Sequence, residues 1–394
     1  MENKKIILIS LFFYEKADNI RISTVYNLLK EKGAEVELIT TDFNHRNKKK
    51  HDRTLDHADV TFLPVPEYKK NLSFGRLFSH FVFAIRLFSY LKKLPYSPSK
   101  IYCIVPTVSS GWVCSLYCRK NKVPFVVDVI DLWPESLIVL SPYKKLLQFI
   151  SFPMKWVAQK VYQSADFLFA GSVQYAQHAQ KYNRKTKAIP VYLGTDVPHY
   201  QALVSSSAIK IDKPKNQKWI CFGGMLGNSY DIKIILESFK KLTDKGLNDI
   251  KLVFIGDGQE HEKISHFKNK HKLNIEITGF LKYADYLKYL SYADIAINSF
   301  KEGTRVAYSY KFNDYINAGI PIVNNVKGEM AGLISKYKIG RNFDHTTDSL
   351  YQEINEMLEN PDLLSEMRKN ATFVATSILD KETVYREMLE KLMF

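Results

Sequence analysis

The chain of 394 residues is longer than one core usually supports, and a hydrophobic content of 46% is far from a disordered composition, so two domains of roughly 180 residues each are expected. Lysine and arginine number 56 against 41 acidic residues, and the formal charge of +15 predicts an anionic partner. No arginine-rich helix, zinc-finger spacing or glycine-aromatic RNA signature accompanies that charge, so nucleic acid is not expected, and the four cysteines, Cys103, Cys114, Cys118 and Cys221, lack the spacing of a metal site.

The amino terminus is basic and then apolar, but the apolar run stops quickly and no small-residue cleavage site follows. Residues 5–10 therefore read as the first buried strand of a cytoplasmic protein. A helix over about residues 20–32 carries Ile22, Val25, Leu28 and Leu29 on one face and ends at Gly33, and residues 36–40 give a second strand. This βαβ unit lacks the G-x-G-x-x-G pattern, so its first turn is not read as a nucleotide site. Arg21, at the helix start, reads as a surface residue or as a contact for an anion. Residues 42–71 are polar and basic around a short apolar stretch at 60–65 and suggest a long, mobile excursion. The aromatic run 72–91, capped by Lys92 and Lys93, is too interrupted to span a membrane. It suits a helix lying in a membrane interface or, equally, a buried crossover helix.

A strand over 100–105 and another over 124–129 follow. The second delivers Asp128, Asp131, Trp133 and Glu135 to the sheet edge, where carboxylates beside an indole suit sugar hydroxyls. Residues 142–162 interleave aromatics with lysines and form a second surface suited to an anionic membrane, together with 77–93. Residues 165–172 read as a strand with Ser172 ready to cap the next helix. Residues 188–196 are a last strand and turn, and the polar stretch 199–217 reads as a linker.

The second half opens with a strand running into Gly223, Gly224 and Gly227, a turn that lets backbone N–H groups approach an anion at a helix start. The helix behind it buries Ile232, Ile235, Leu236, Phe239 and Leu242. Residues 250–258 and 275–280 supply further strands and turns, and a tyrosine-rich helix runs through Tyr289. Residues 294–323 then read as strand, polar loop, helix ended by Gly319, and strand after Pro321. That unit brings Glu302, Arg305, Lys311 and Asp314 near the carboxyl edge of a parallel sheet, where open α/β folds bind ligands. Two cations and two carboxylates suit an anionic ligand with hydroxyls, although a solvated loop would have the same pattern. Helical stretches around 350–358 and 376–392 finish the chain, with no internal repeat.

In this order the landmarks 131–136 (Asp-Leu-Trp-Pro-Glu-Ser), 194–196 (Gly-Thr-Asp), Gly223-x-x-x-Gly227, 256–258 (Gly-Asp-Gly) and Lys311-x-x-Asp314-Tyr315 running to Gly319-x-Pro321 resemble the retaining GT-B glycosyltransferases of family 4, which include bacterial capsule, O-antigen and exopolysaccharide sugar transferases. The resemblance implies two Rossmann-like α/β domains facing each other across a cleft. They would be an acceptor domain at 1–198, a nucleotide-sugar domain at 199–374, and a C-terminal helix at 375–394 returning to the first. It implies a retaining hexosyltransferase without a metal or tightly bound cofactor. The donor would be a UDP-sugar, or less readily a GDP-sugar, carrying an acetamido or deoxy hexose. The acceptor would be a polyprenyl-diphosphate-linked saccharide at the inner face of the cell membrane.

By the same resemblance Asp314 meets the donor ribose, and Lys311, Arg305, Gly223, Gly224, Gly227, Asn228 and Gly256 surround the diphosphate. Phe280 and Leu281 lie by the base, Glu302 meets the donor sugar, and Asp128, Asp131 and Glu135 position hydroxyls. Val306 stands at the usual spacing for the donor-sugar carboxylate, and Asn228 and Ser229 stand where relatives often carry cations. An epimerase acting on a UDP-N-acetylhexosamine and a non-catalytic scaffold of polysaccharide assembly are the alternatives.

Overall fold

The structure is a computed structural model that describes residues 5–13, 21–45, 48–51, 59–70, 73–136, 144–304 and 306–394. The chain divides into two compact units, Met1–Tyr192 with Tyr385–Phe394, and Leu193–Val384.

In the first unit the strands are β1 (Ile6–Ile9), β2 (Val36–Thr41), a short hairpin of β3 (Phe43–Asn44) and β4 (Lys49–Lys50), β5 (Val60–Leu63), β6 (Lys100–Val105), β7 (Phe125–Val129), β8 (Phe167–Ala170) and β9 (Ala188–Pro190). Seven of them form one parallel sheet in the order β5-β2-β1-β6-β7-β8-β9. Every residue of β1, β2, β6 and β7 is buried, so apolar residues dominate these strands without strict alternation, with Glu37, Thr40, Thr41, Lys100 and Asp128 as buried polar positions among them. The apolar stretch inside the presumed excursion is β5, paired in register with β2 from Leu38↔Val60 to Thr41↔Leu63. It is therefore an edge strand, and residues 46–47, 52–58 and 71 of that region lie outside the described residues.

Helix α1 (Arg21–Glu31) buries Ile22, Val25, Leu28 and Leu29, the stripe its spacing predicts. Helix α2 (Phe74–Lys92) is started by Ser73, whose hydroxyl accepts from the Arg76 N–H, and it buries His80, Phe83, Ala84, Leu87 and Leu91. It is thus a crossover helix packed on the core, yet its other face is also apolar and stays in solvent. Helix α3 (Val108–Asn121) buries Cys114 and Cys118; all four cysteines are buried and free. Ser172 caps the helix Val173–Gln180 as its position suggests, with its hydroxyl 3.0 Å from the Tyr175 N.

In the second unit, β10 (Lys218–Gly223), β11 (Ile250–Ile255), β12 (Ile275–Ile277), β13 (Ile295–Asn298), β14 (Ile322–Asn324) and β15 (Gly340–Asn342) form a parallel sheet in the order β12-β11-β10-β13-β14-β15. The strand order reverses at the β10/β13 pair, the point at which doubly wound sheets open a crevice beyond their carboxyl ends. The helix Ile232–Asp244, capped by Asp231, buries the five apolar positions its periodicity marks. The stretch read as a linker contains the helix Val197–Ser206, which Asp196 caps by accepting from the His199 N–H at 3.1 Å. Strand β15 is absent from the sequence reading because Gly-Arg-Asn carries no apolar signal; the Gly340 backbone instead lies against the Ile322 carbonyl, where any Cβ would collide.

Candidate functional site

The carboxyl edge of the second sheet is floored by backbone. Gly224 N–H donates to the Ile255 carbonyl and Leu226 N–H to the Asp257 carbonyl, each at 2.9 Å, so the turns after β10 and β11 run side by side. A Cβ on Gly256 (φ +149°) would collide with the Gly224 carbonyl oxygen, and one on Gly258 (φ +157°) with that of Leu226. Only glycine permits that approach. Tyr315, fully buried, accepts from the Gly223 N–H at 2.9 Å and donates to the Ile297 carbonyl at 3.2 Å, tying β10 to β13 at the reversal point.

Lys311 rises into this floor from the helix Tyr310–Asn317, which Ser309 caps by accepting from the Phe312 N–H. Its ammonium lies 3.7 Å from the centroid of Phe222, 3.6 Å from that of Tyr230 and 5.8 Å from that of Phe300. It is buried and has no hydrogen-bond partner among the described residues. Burial pushes its pKa well below the ordinary lysine value, and the charge of Asp314 only partly opposes that. A Cβ added at Gly224 would stand 3.9 Å from the amine. An amine withdrawn from water, walled by aromatic faces and facing glycine backbone would gain its charge, and a partner, from an anion bound there.

Asp314, one turn on, is 7% exposed and accepts from the Tyr283 hydroxyl at 2.9 Å. It also pushes the Tyr286 hydroxyl further above the phenol range to which burial has already raised it. The loop after β13 is fixed from both sides. Asn325 accepts from the Phe300 N–H at 2.9 Å and donates to the Phe300 carbonyl at 2.8 Å, and the Lys301 N–H donates to the Ser229 carbonyl at 2.9 Å. Beside it the ends of β13, β14 and β15 are joined by Asn298, Asn324 and Asn342, in register and hydrogen-bonded in sequence at 2.8 and 2.9 Å.

The structure therefore brings Gly223, Gly224, Gly256, Lys311 and Asp314 together. Gly227 is half-buried next to them, while Asn228, Glu302 and Phe280 (89% exposed) lie at the solvent rim with half-buried Leu281. Arg305 lies outside the described residues. The aromatic walls, Phe222, Tyr230 and Phe300, and the tyrosines around Asp314 come from separate segments and carry no motif. Only the Asp314-Tyr315 pair and the tyrosine-rich run ending at Tyr289 hinted at them.

The carboxylates of the first unit differ from one another. Asp128 is fully buried, with one oxygen 2.8 Å from Arg21 Nη2 and the other shared by Arg21 Nε and the Tyr102 hydroxyl. Arg21, 2% exposed, also donates to the Val191 carbonyl at 2.5 Å and stacks over Tyr385. Both expectations change accordingly: Arg21 is neither a surface residue nor open to a ligand, and Asp128 has no oxygen turned to a sugar hydroxyl. Asp131 accepts from the Leu132 N–H, the Trp133 indole and the Ser136 hydroxyl at 2.8, 2.9 and 3.2 Å, and so shapes its own loop. Burial raises its pKa, against those hydrogen bonds. Glu135 is half-buried and acts electrostatically on His178.

Residues 206–373, within the second unit, match the family model described as glycosyl transferases group 1. Comparison with curated proteins gives no match. Among solved structures, the chain is similar to Anabaena HepE in complex with UDP at 16% identity and a TM-score of 0.70, covering 99% of each chain. It is similar to a glycosyltransferase from Rickettsia africae at 15% identity and a TM-score of 0.72, covering 100% of this chain and 98% of that one. It is likewise similar to WaaG, a glycosyltransferase involved in lipopolysaccharide biosynthesis, at 13% identity and a TM-score of 0.66, covering 98% of this chain and 99% of that one. These likenesses show the fold, an α/β architecture of two Rossmann-like halves of the GT-B kind.

Proposed function

We propose that the chain is a retaining glycosyltransferase that moves a hexose, of the acetamido or deoxy type, from UDP-sugar to a polyprenyl-diphosphate-linked saccharide in surface polysaccharide assembly. The observation that carries this reading is Lys311, a buried amine with no hydrogen-bond partner among the described residues, beside the glycine floor of the β10/β13 reversal point. Departure of a nucleoside diphosphate places negative charge there while the anomeric carbon becomes cationic. A preorganised cation and backbone N–H groups in a site shielded from water stabilise that charge as it develops. On this reading Asp314, which accepts from the Tyr283 hydroxyl, also accepts from the ribose hydroxyls. HepE, of the same fold, was solved with UDP and with UDP-glucose, which supports a uridine carrier. On the retaining reading the acceptor attacks on the face the diphosphate leaves, and the departing phosphate oxygen takes its proton, so no side-chain nucleophile is needed.

The site of action follows from an apolar surface on the first unit. Phe74, Leu77, Phe78, Phe81, Ile85 and Phe88 line the solvent face of α2, and Leu146, Phe149, Phe152 and Trp156 project from the helices Lys144–Ile150 and Phe152–Ser164. Helix α3 packs against both α2 and the helix Phe152–Ser164, with Trp112 and Trp156 in ring contact at 5.7 Å. No acidic residue occurs in α2 or between 144 and 164, whereas Arg86, Lys92, Lys93, Lys145 and Lys160 are exposed there. Aromatic insertion with lysines at about 1 kcal/mol each suits the anionic inner face of the cell membrane. No helix among the described residues is long and apolar enough to cross it.

The test is thermal stabilisation by UDP, GDP, dTDP and CDP, repeated with Lys311→Ala and Asp314→Ala. Saturable stabilisation by one nucleotide, lost in both variants, supports the donor site. No response to any of them overturns it, and sugar conversion without an acceptor would favour the epimerase. Flotation with phosphatidylglycerol vesicles, reduced by Phe78→Glu with Phe81→Glu, tests the membrane surface.

A further inference from the structure

The surroundings of Lys311 Nζ hold little that would keep it charged. The residue is 7% exposed, the nitrogen has no hydrogen-bond partner among the described residues, and it stands over the rings of Phe222 and Tyr230 at 3.7 and 3.6 Å from their centroids. An ammonium offers three donors to water. This position removes that hydration, and aromatic faces replace only part of it.

The segments packed around the amine do not restore the charge. On its own helix Asp314 attracts it through space, but that carboxylate hydrogen-bonds the phenols of Tyr283 and Tyr286 rather than Nζ. Strand β10 presents Phe222, and the segment after it presents the Gly224 backbone and Tyr230, whose hydroxyl burial holds above the usual phenol range. The loop after β13 presents Phe300, while its Lys301 and Glu302 are exposed. Burial accordingly pushes Lys311 well below the ordinary lysine range, with Asp314 in partial opposition.

We propose that the donor site rests with Lys311 as a neutral amine and takes up its diphosphate together with one proton, which comes to Lys311 Nζ. This rests on the donor-site reading above and adds how that site acquires its charge. The proton comes from solvent or from a buffer acid, the amine lone pair receives it, and no other bond changes. The diphosphate oxygens supply the acceptors that the ammonium lacks, so anion and proton favour each other's binding. A ligand without phosphate recruits no proton, and the charge that stabilises a departing diphosphate then arrives only with the diphosphate itself. Between the free and the liganded titration ranges the complex holds one proton more than its parts. Affinity therefore falls as pH rises, by up to about tenfold per pH unit.

The experiment is calorimetric titration of the full chain at pH 7.5 with UDP-glucose and with GDP-glucose, whose diphosphates do not titrate near that pH, in buffers of low and high ionisation enthalpy. The expected result is uptake approaching one proton per ligand bound, with affinity declining between pH 7 and pH 8.5. Lys311→Arg carries a permanent charge and is expected to bind without uptake. NMR of the wild type, with lysine labelled with carbon-13 at Cε, reads the amine whether or not that variant folds. The Lys311 signal is assigned by its loss in Lys311→Met. It is expected at the neutral-amine position in the free protein and at the ammonium position with ligand. Binding without proton uptake, or an ammonium signal in the free protein at pH 7.5, overturns the proposal and leaves the donor reading standing. Uptake that persists undiminished in folded Lys311→Arg places the proton elsewhere and overturns it as well. Absence of binding by either nucleotide sugar rejects the donor reading, and the proposal with it.

Discussion

The Tyr315 hydroxyl bridges the Gly223 N–H at 2.9 Å and the Ile297 carbonyl at 3.2 Å, so one phenol closes the two strands between which the second sheet reverses. Tyr315→Phe keeps the ring but leaves a buried donor and a buried acceptor unmatched, a loss of about 1–3 kcal/mol. The expected outcome is a lower urea midpoint together with weaker UDP stabilisation. An unchanged midpoint would show that the bridge is dispensable.

Lys311 sets stability against binding. Its folded pKa is depressed, so the fold resists the charged form, and removing the amine relieves that cost whenever the unfolded chain would be protonated, below about pH 10.4. Lys311→Met is therefore expected to raise the melting temperature of the unliganded protein by a few degrees while abolishing nucleotide stabilisation. A melting temperature lowered by several degrees would mean that cation–π attraction to Phe222 and Tyr230 outweighs desolvation.

Asp128 and Arg21 answer to a different measurement. With both partners buried, Asp128→Ala strands a guanidinium in the core and is expected to cost about 3–5 kcal/mol. The paired change Arg21→Met with Asp128→Leu recovers much of it. A variant of unchanged stability that lost only turnover would return Asp128 to the chemistry.

Acid weakens the first unit through His80 and His45. Both are held neutral when folded, at about 3 and about 4, against roughly 6.5 when unfolded, so below pH 6.5 the unfolded chain binds protons that the folded chain refuses. Stability therefore falls as pH falls toward those folded values, by up to about 1.4 kcal/mol per pH unit for His80 and less for half-buried His45. Urea midpoints at pH 7 and pH 5 should differ, and His80→Phe should narrow the gap. Equal midpoints would show that the imidazoles are not held neutral.

Much of this architecture was readable before any coordinates. Buried strands announce themselves as apolar runs, and the stripe on the helix Ile232–Asp244 and the cap at Ser172 obey local rules. Lys311 and Asp314 drew attention because their spacing within one strand-loop-helix unit is itself a signal, and the structure sets them beside the glycine turns after β10 and β11. The pairing of Asp128 with Arg21 was not legible, since an aspartate near the end of a strand reads the same whether it faces a ligand or an arginine in a distant helix. The walls around Lys311 are three aromatics from separate segments, and no local pattern records their convergence. The helix Val197–Ser206 hid in a polar stretch although Asp196 and the following proline are ordinary helix-start signals. The exposed face of α2 shows why two readings of one run were both incomplete: one side of the helix belongs to the core and the other to solvent.

The contact between the Gly224 carbonyl and Gly256 bears on how this protein can evolve. Any replacement of Gly256 introduces a Cβ where that carbonyl already stands, so mutation cannot remodel the floor by small steps. Variation is left to the rim, where Phe280, Asn228 and Glu302 meet water and no neighbour among the described residues fixes their volume. If the floor holds the carrier of the donor, lineages descended from such a chain would conserve that carrier and diversify in what it carries.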